Sequence, residues 1–270
     1  CSRQRRPNAC PSDRKPQQSS ALPSASANRI ASNLPELPFL PPSPIWFPPG
    51  EEALNEPDGL LAIGGELTAQ WLVEAYCQGV FPWFDDDSGP IYWWCPSERG
   101  VIRPGQMKVS RSLKKTLRSG KFNITLDQDF TSVINTCAAT RVDNVGTWIT
   151  SAMIEAYNEL HQAGLAHSIE VWQDEVLVGG LYGLSLGNMF FGESMFALAA
   201  DASKAAFFKL NEILHSWDFA LIDCQMMNPH LESLGVVPMP RAKFLAMLEK
   251  NNFSETRLGS WQLPASETAL

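Results

Sequence analysis

Residues 167–196, HSIEVWQDEVLVGGLYGLSLGNMFFGESMF, constrain the fold more than any other stretch of the chain. Three runs rich in Val, Leu and aromatic residues are separated near Gln173-Asp174 and near Gly187-Asn188, both of them turn-forming pairs. Such a stretch pairs with itself as a three-strand antiparallel meander, and its apolar faces then need helices to cover them. Helical spacing supplies that cover on both sides. Upstream, Met153, Tyr157 and Leu160 recur at i, i+4 and i+7 after GTWIT, and Gly164 is placed to stop the run. Downstream, DASKAAFFKLNEIL puts Phe207, Leu210 and Leu214 on one stripe, and Pro240 opens a last helix with Phe244 and Leu248 inward. The layout is α+β, with helices packed on a mostly antiparallel sheet.

Ahead of this region, turn signals at Pro57-Asp58-Gly59 and Gly64-Gly65 precede a helix. Thr68 is its N-cap candidate, Leu72, Tyr76 and Val80 have helical spacing, and Gly79 stands at its end. A loop dense in aromatics follows, with Phe81, Trp83, Phe84, Tyr92, Trp93 and Trp94. The chain therefore divides into a disordered tail over 1–37, a small N-terminal α+β domain over 38–100, a larger domain over 101–252 and a C-terminal tail over 253–270. The first segment is rich in Pro, Ser, Ala and Arg, a composition that buries too little apolar surface to order itself. No apolar segment follows Arg3, Arg5 and Arg6, so no secretory signal is expected, and no apolar run is long enough to span a membrane. The six cysteines and four histidines show no metal-ligand or redox spacing, so no metal is expected, and reduced thiols fit a cytoplasmic chain.

The net charge of −8 argues against an indiscriminate nucleic-acid binder but leaves room for a local basic patch. Residues 103–121 are such a patch, with seven Lys or Arg and no acid. Ser110 caps a short helix there with Leu113 and Leu117 inward. Arg111 with Lys115, and Lys114 with Arg118, then repel at i, i+4, and Arg111 faces the positive end of the helix dipole. A fold has no need of that cost, so an anionic partner is one reading and a solvated face the other. Polar groups also stand inside apolar strands: Glu193 in FFGESMF, and Asp223 and Gln225 in FALIDCQMMN (219–228). Strand alternation would set Leu221, Asp223, Gln225 and Met227 on one face and Ile222, Cys224 and Met226 on the other. A buried carboxylate is costly unless paired. Asp223 alone reads equally well as a carboxylate accepting backbone N–H groups. Two strand carboxylates and a neighbouring amide favour a site.

The strings EPDGLLAIGGEL, GVFPWF, IYWWCP, GTWIT, HSIEVW, LVGGLYG, FFGESMF, DASKAA, LIDCQ and HLESLG follow one another in this order. Together they resemble the leucyl/phenylalanyl-tRNA–protein transferase family over residues 45–245. The resemblance implies a small N-terminal domain followed by a GNAT-like domain. It implies an enzyme that needs no cofactor and moves Leu or Phe, and less well Met, from aminoacyl-tRNA onto acceptor proteins with N-terminal Arg or Lys. That addition marks the acceptor for N-degron proteolysis. It further implies partners limited to Leu-tRNA, Phe-tRNA and such acceptors, with no membrane and a monomeric state. By motif, Asp223, Gln225 and Glu193 correspond to catalytic residues. Trp83, Trp148, Tyr76 and Tyr157 correspond to the binding site for the aminoacylated 3′ end, and Phe190 and Ile222 to walls of the amino-acid pocket. Ala197-Leu198 replace a Ser-Arg pair common in the family.

An aminoacyl ester is already activated, so the chemistry asks only that an amine be held against it, a proton accepted and an oxyanion stabilised. The assignment expected from sequence is that Gln225 orients the amine, Asp223 polarises Gln225 or relays the proton, and Glu193 holds an ammonium or the acceptor's basic side chain. Arg111, Lys114, Lys115 and Arg118 are expected to contact tRNA phosphates. The alternative is a GNAT-type acetyltransferase using acetyl-CoA. It is disfavoured because GESMFALAADASKAA has no glycine after Gly192 to form a pyrophosphate-binding loop.

Overall fold

The computed structural model describes residues 37–84, 88–142 and 148–262. The tail over 1–36, residues 263–270 and the glycine of GTWIT lie outside the described residues. All described residues fall within one compact unit that begins at Pro35.

Two sheets organise it. The smaller has the order β1 (Phe39–Leu40), β2 (Leu60–Gly64), β4 (Tyr92–Trp94), β3 (Phe81–Pro82). The aromatic run expected as a loop is therefore largely paired strand, because alternate aromatic rings of β4 have a core to fill. Trp93 is wholly buried, stacks on Trp71 with centroids 5.9 Å apart, and donates its indole N–H to the Gly64 carbonyl. Helix α1 (Ala69–Cys77) packs here, with Thr68 accepting the Trp71 N–H as N-cap and Gly79 in the left-handed region at its end.

The larger sheet has seven strands. In chain order they are β5 (Glu98–Ile102), β6 (Asn123–Leu126), β7 (Ala166–Gln173), β8 (Val176–Leu186), β9 (Met189–Ala197), β10 (Leu221–Asp223) and β11 (Val237–Pro240). Their spatial order is β11-β5-β10-β9-β8-β7-β6. The meander is present as β7, β8 and β9, all antiparallel. Its first turn lies one residue later than the sequence suggested, since Gln173 pairs with Val176 and Asp174 and Glu175 take positive φ. Among the described strands of this sheet only β9 and β10 run parallel. Strand β5 draws Glu98 and Arg99 into the large sheet, so that sheet takes residues from both sides of position 100.

Helices cover both faces. On the first, α1, α3 (Phe130–Val142), α4 (Ser151–Gln162) and α7 (Arg241–Asn251) share a core with Tyr182, Leu184, Phe191 and Leu221. On the second, α2 (Arg111–Leu117), α5 (Ala202–Ser216) and α6 (Pro229–Ser233) enclose Leu181, Phe190 and Ile222. Helix α3 escaped the sequence reading, although Phe130, Val133, Ile134 and Cys137 recur at helical spacing and are all buried. No described helix is long and apolar enough to cross a membrane.

Residues 253–262, expected as part of a tail, pack down instead. Gly259 bonds the Gly164 carbonyl, and buried Trp261 stacks on His167 with centroids 3.8 Å apart. Gly183 in β8 admits no side chain. A Cβ there would lie 2.2 Å from the Phe191 carbonyl oxygen and 2.7 Å from the Phe190 ring. Gly183→Ala is expected to destabilise by about 2–3 kcal/mol, because a backbone atom cannot yield as a side-chain tip can. Denaturant unfolding at unchanged m-value checks it.

Candidate active site

The expected ten-residue strand FALIDCQMMN is paired to β9 for only three residues, Leu221 to Asp223. The cause is local. Gln225 takes φ of +59°, and its N–H donates to Asp223 Oδ1 at 2.8 Å, closing a side-chain turn. Asp223 and Gln225 are thus not neighbours on one flat strand face. The turn lets β5 hold the chain through Cys224 N–H to Gly100 O, at 2.7 Å, and Gly100 N–H to Gln225 O, at 2.8 Å.

Glu193 is aimed by a second local device. Tyr182 pairs with Ser194 and Gly183 with Gly192, which leaves Glu193 as the extra residue of a β-bulge in β9. Bulges re-aim a side chain, and this one sends Glu193 to the first face, beneath α1 and α4. Asp223 is in register with Phe191, and Gln225 and Glu193 each lie two residues further along the chain. Their side chains meet there, with Gln225 Nε2 donating to Glu193 Oε1 at 2.9 Å. The Tyr76 hydroxyl donates to the same oxygen at 2.5 Å and lies 2.8 Å from the Tyr157 hydroxyl. Tyr76 comes from α1 and Tyr157 from α4, and both are wholly buried.

Burial pushes the Glu193 carboxyl up to about 7, against the opposing hydrogen bonds from Tyr76, Tyr157 and Gln225. Burial, then the nearby Glu193 charge, hold both phenols well above the usual tyrosine range, so they stay protonated. The cluster therefore holds a carboxylate that changes charge near neutrality, two hydroxyl donors and a carboxamide. The Gln225 Nε2 is engaged by Glu193, which leaves its side-chain carbonyl for a ligand.

Asp223 faces away from that ligand position. It is wholly buried and ion-paired with Arg99, whose Nη2 is 2.8 Å from Oδ2 and whose Nε–H reaches both oxygens at 3.1 Å. A carboxylate so enclosed is out of direct reach of a ligand and couples to the cluster only through the Gln225 N–H that it accepts. Arg99 had no signal in the sequence, where it stands between Glu98 and Gly100 outside any charge cluster or motif.

Of the other candidates, half-buried Trp83 and Trp148 pack against the same first-face core, and Trp94 donates its indole N–H to the Trp83 carbonyl. Phe190 and Ile222 are not brought to the cluster. Strand alternation turns them to the second face, where both are wholly buried. The β9 ring that touches Tyr76 is Phe191, at 5.3 Å between centroids. Arg111, Lys114, Lys115 and Arg118 are all exposed on or just after α2, with Ser110 as its N-cap. No described acidic residue pairs with them.

Comparison with known proteins agrees with the resemblance. A family model described as leucyl/phenylalanyl-tRNA protein transferase matches residues 101–249, and a model of that family's N-terminal domain matches residues 65–97. A leucyl/phenylalanyl-tRNA–protein transferase of Ectopseudomonas mendocina is 54% identical over 205 residues, which cover 76% of this chain and 90% of that protein. One of Nitrosospira multiformis is 53% identical over 204 residues, which cover 76% and 88%. Among solved structures, L-PGS from Bacillus licheniformis aligns with a TM-score of 0.37 at 10% identity, over 63% of this chain and 54% of that one. That similarity carries no argument.

Proposed function

Because the chain belongs to the leucyl/phenylalanyl-tRNA–protein transferase family, we propose that Glu193, Gln225, Tyr76 and Tyr157 form its transfer site. There Leu or Phe passes from aminoacyl-tRNA to the α-amine of an acceptor protein with N-terminal Arg or Lys. The observation that carries this reading is the buried carboxylate poised near pH 7 among three hydrogen-bonding side chains. In this reading residues 38–100 are a small N-terminal domain and 101–252 a GNAT-like domain that share β5 at their border. The protein acts as a cytoplasmic monomer that marks acceptors for degradation.

The reaction needs little from the protein beyond placement and one proton acceptor. An α-amine has a pKa near 8, so about a tenth is neutral at pH 7. The Gln225 carbonyl accepts one amine hydrogen and sets the nitrogen toward the ester carbon. As the C–N bond forms, the amine proton passes to Glu193. As the ester C–O bond breaks, that proton goes to the departing ribose oxygen, and Glu193 ends as it began. Tyr157 and Tyr76 donate along a chain that ends on Glu193, which keeps the carboxylate oriented. Trp83 and Trp148 offer flat aromatic surface for the terminal adenine. This assignment gives Glu193 the proton, where sequence alone gave it an ammonium or the acceptor's basic side chain. Asp223 becomes a positioning residue.

The decisive assay mixes Leu-tRNA, an Arg-initiated peptide and the purified protein without ATP or CoA. Transfer supports the reading, and its absence, or acetylation when acetyl-CoA is supplied, overturns it. We further propose that Arg111, Lys114, Lys115 and Arg118 bind tRNA phosphates. Replacing all four with Gln is expected to weaken tRNA binding and to flatten the log–log salt dependence by about 3. An unchanged slope would remove them from the interface.

A further inference from the structure

Arg99 has no part in the chemistry above, yet it is the most completely enclosed cation among the described residues. Its guanidinium lies over the rings of Phe81 and Phe244 at 4.7 and 4.6 Å, donates Nη1–H to the Gly79 carbonyl at 2.8 Å, and forks onto Asp223. One group thus ties β3, α7, the end of α1 and the end of β10 together. The α1 anchor matters because Gly79 closes the helix that carries Tyr76. The Asp223 anchor matters because the same carboxylate accepts the Gln225 N–H and so sets the left-handed turn that aims the carboxamide at Glu193. A non-glycine residue at φ of +59° persists only where its surroundings over-determine it.

We infer that Arg99 is a positioning residue for transfer, acting through Asp223 on the Gln225 turn and through Gly79 on the helix that carries Tyr76. Both partners of Glu193 Oε1 then depend on one buried guanidinium. The inference rests on the transferase reading, and wild-type transfer measured in the same assay separates failure of that reading from failure of this one.

Arg99→Met is expected to lower kcat about 10²-fold, the effect of a small displacement of a positioned group. The KM for Leu-tRNA should stay within about threefold, since no substrate atom is touched. Glu193 loses a stabilising donor in this variant, so the rising limb of the pH–rate profile moves to higher pH. Arg99→Lys keeps the charge without the fork, and should recover part of kcat and the wild-type limb. Gln225→Gly keeps the turn conformation but lacks the carboxamide, so adding Arg99→Met to it should cost markedly less than in wild type. Should Arg99→Met fail to fold, the double variant Arg99→Met/Asp223→Leu replaces the ion pair with apolar groups and restores stability. Transfer should remain low in it. Wild-type kcat and pH profile in Arg99→Met, fully additive losses with Gln225→Gly, or recovery of transfer in the apolar double variant would each overturn the inference.

Discussion

Glu193→Gln is expected to lower the rate of transfer by about 10²–10⁴-fold, the range for removing a positioned general base. The amide keeps the shape of the carboxyl and can still accept from Tyr76, so the loss measures proton acceptance. In the wild type, kcat/KM should rise with pH through about 7 as Glu193 ionises, with a further rise near 8 as the α-amine loses its proton. In the variant the first rise disappears and the second remains. If Glu193→Gln kept both limbs, the proton would have to leave by another route. The same substitution bears on stability. The folded-state pKa of Glu193 is raised from an ordinary value of 4.5 to about 7. The folded protein therefore binds the extra proton between those values. The stabilisation from the neutral form is complete below about 4.5 and is lost as pH rises through about 7. A shift of that size corresponds to about 3 kcal/mol. Glu193→Gln should thus melt higher than wild type at pH 8, with the difference shrinking toward pH 5. Thermal melts across that range check the sign.

Asp223→Asn is expected to destabilise the fold strongly, by about 3–5 kcal/mol, because it leaves the Arg99 guanidinium buried without its counter-charge. Were Asp223 purely catalytic, the substitution would spare the fold and stop only the chemistry. The two predictions part on a simple measurement, the denaturation midpoint of the variant. A loss of that size is a large share of the 5–15 kcal/mol typical of a whole domain. Reduced yield and reduced transfer should therefore appear together, and activity per folded molecule must be measured. A variant with the wild-type midpoint would show that Arg99 finds another partner.

Local chemistry carried much of the architecture into view. Strand alternation and turn pairs located β7 to β9, side-chain caps at Thr68 and Ser110 fell where helices begin, and Gly79 and Gly164 where they end. Each depends on interactions within a few residues, so one sequence suffices to read it. Three polar residues stranded in apolar runs likewise pointed to Glu193, Asp223 and Gln225. The packing of Trp261 gave no such signal, since it is held by contacts distant in sequence, while helix α3 and the Gln225 turn that ends β10 went unread although both are locally encoded.

By itself, then, the order of residues determined the type of most elements and which polar groups are too costly to bury without a purpose. Tertiary structure alone decided what each of those groups does. Arg99 and Asp223 are 124 positions apart, and Tyr76 and Glu193 are 117. No periodicity spans such distances, and a bulge or a single left-handed residue redirects a side chain without changing the pattern around it. Charge and burial act through space, so only the folded chain brings Tyr76 and Gln225 onto Glu193 and Arg99 onto Asp223.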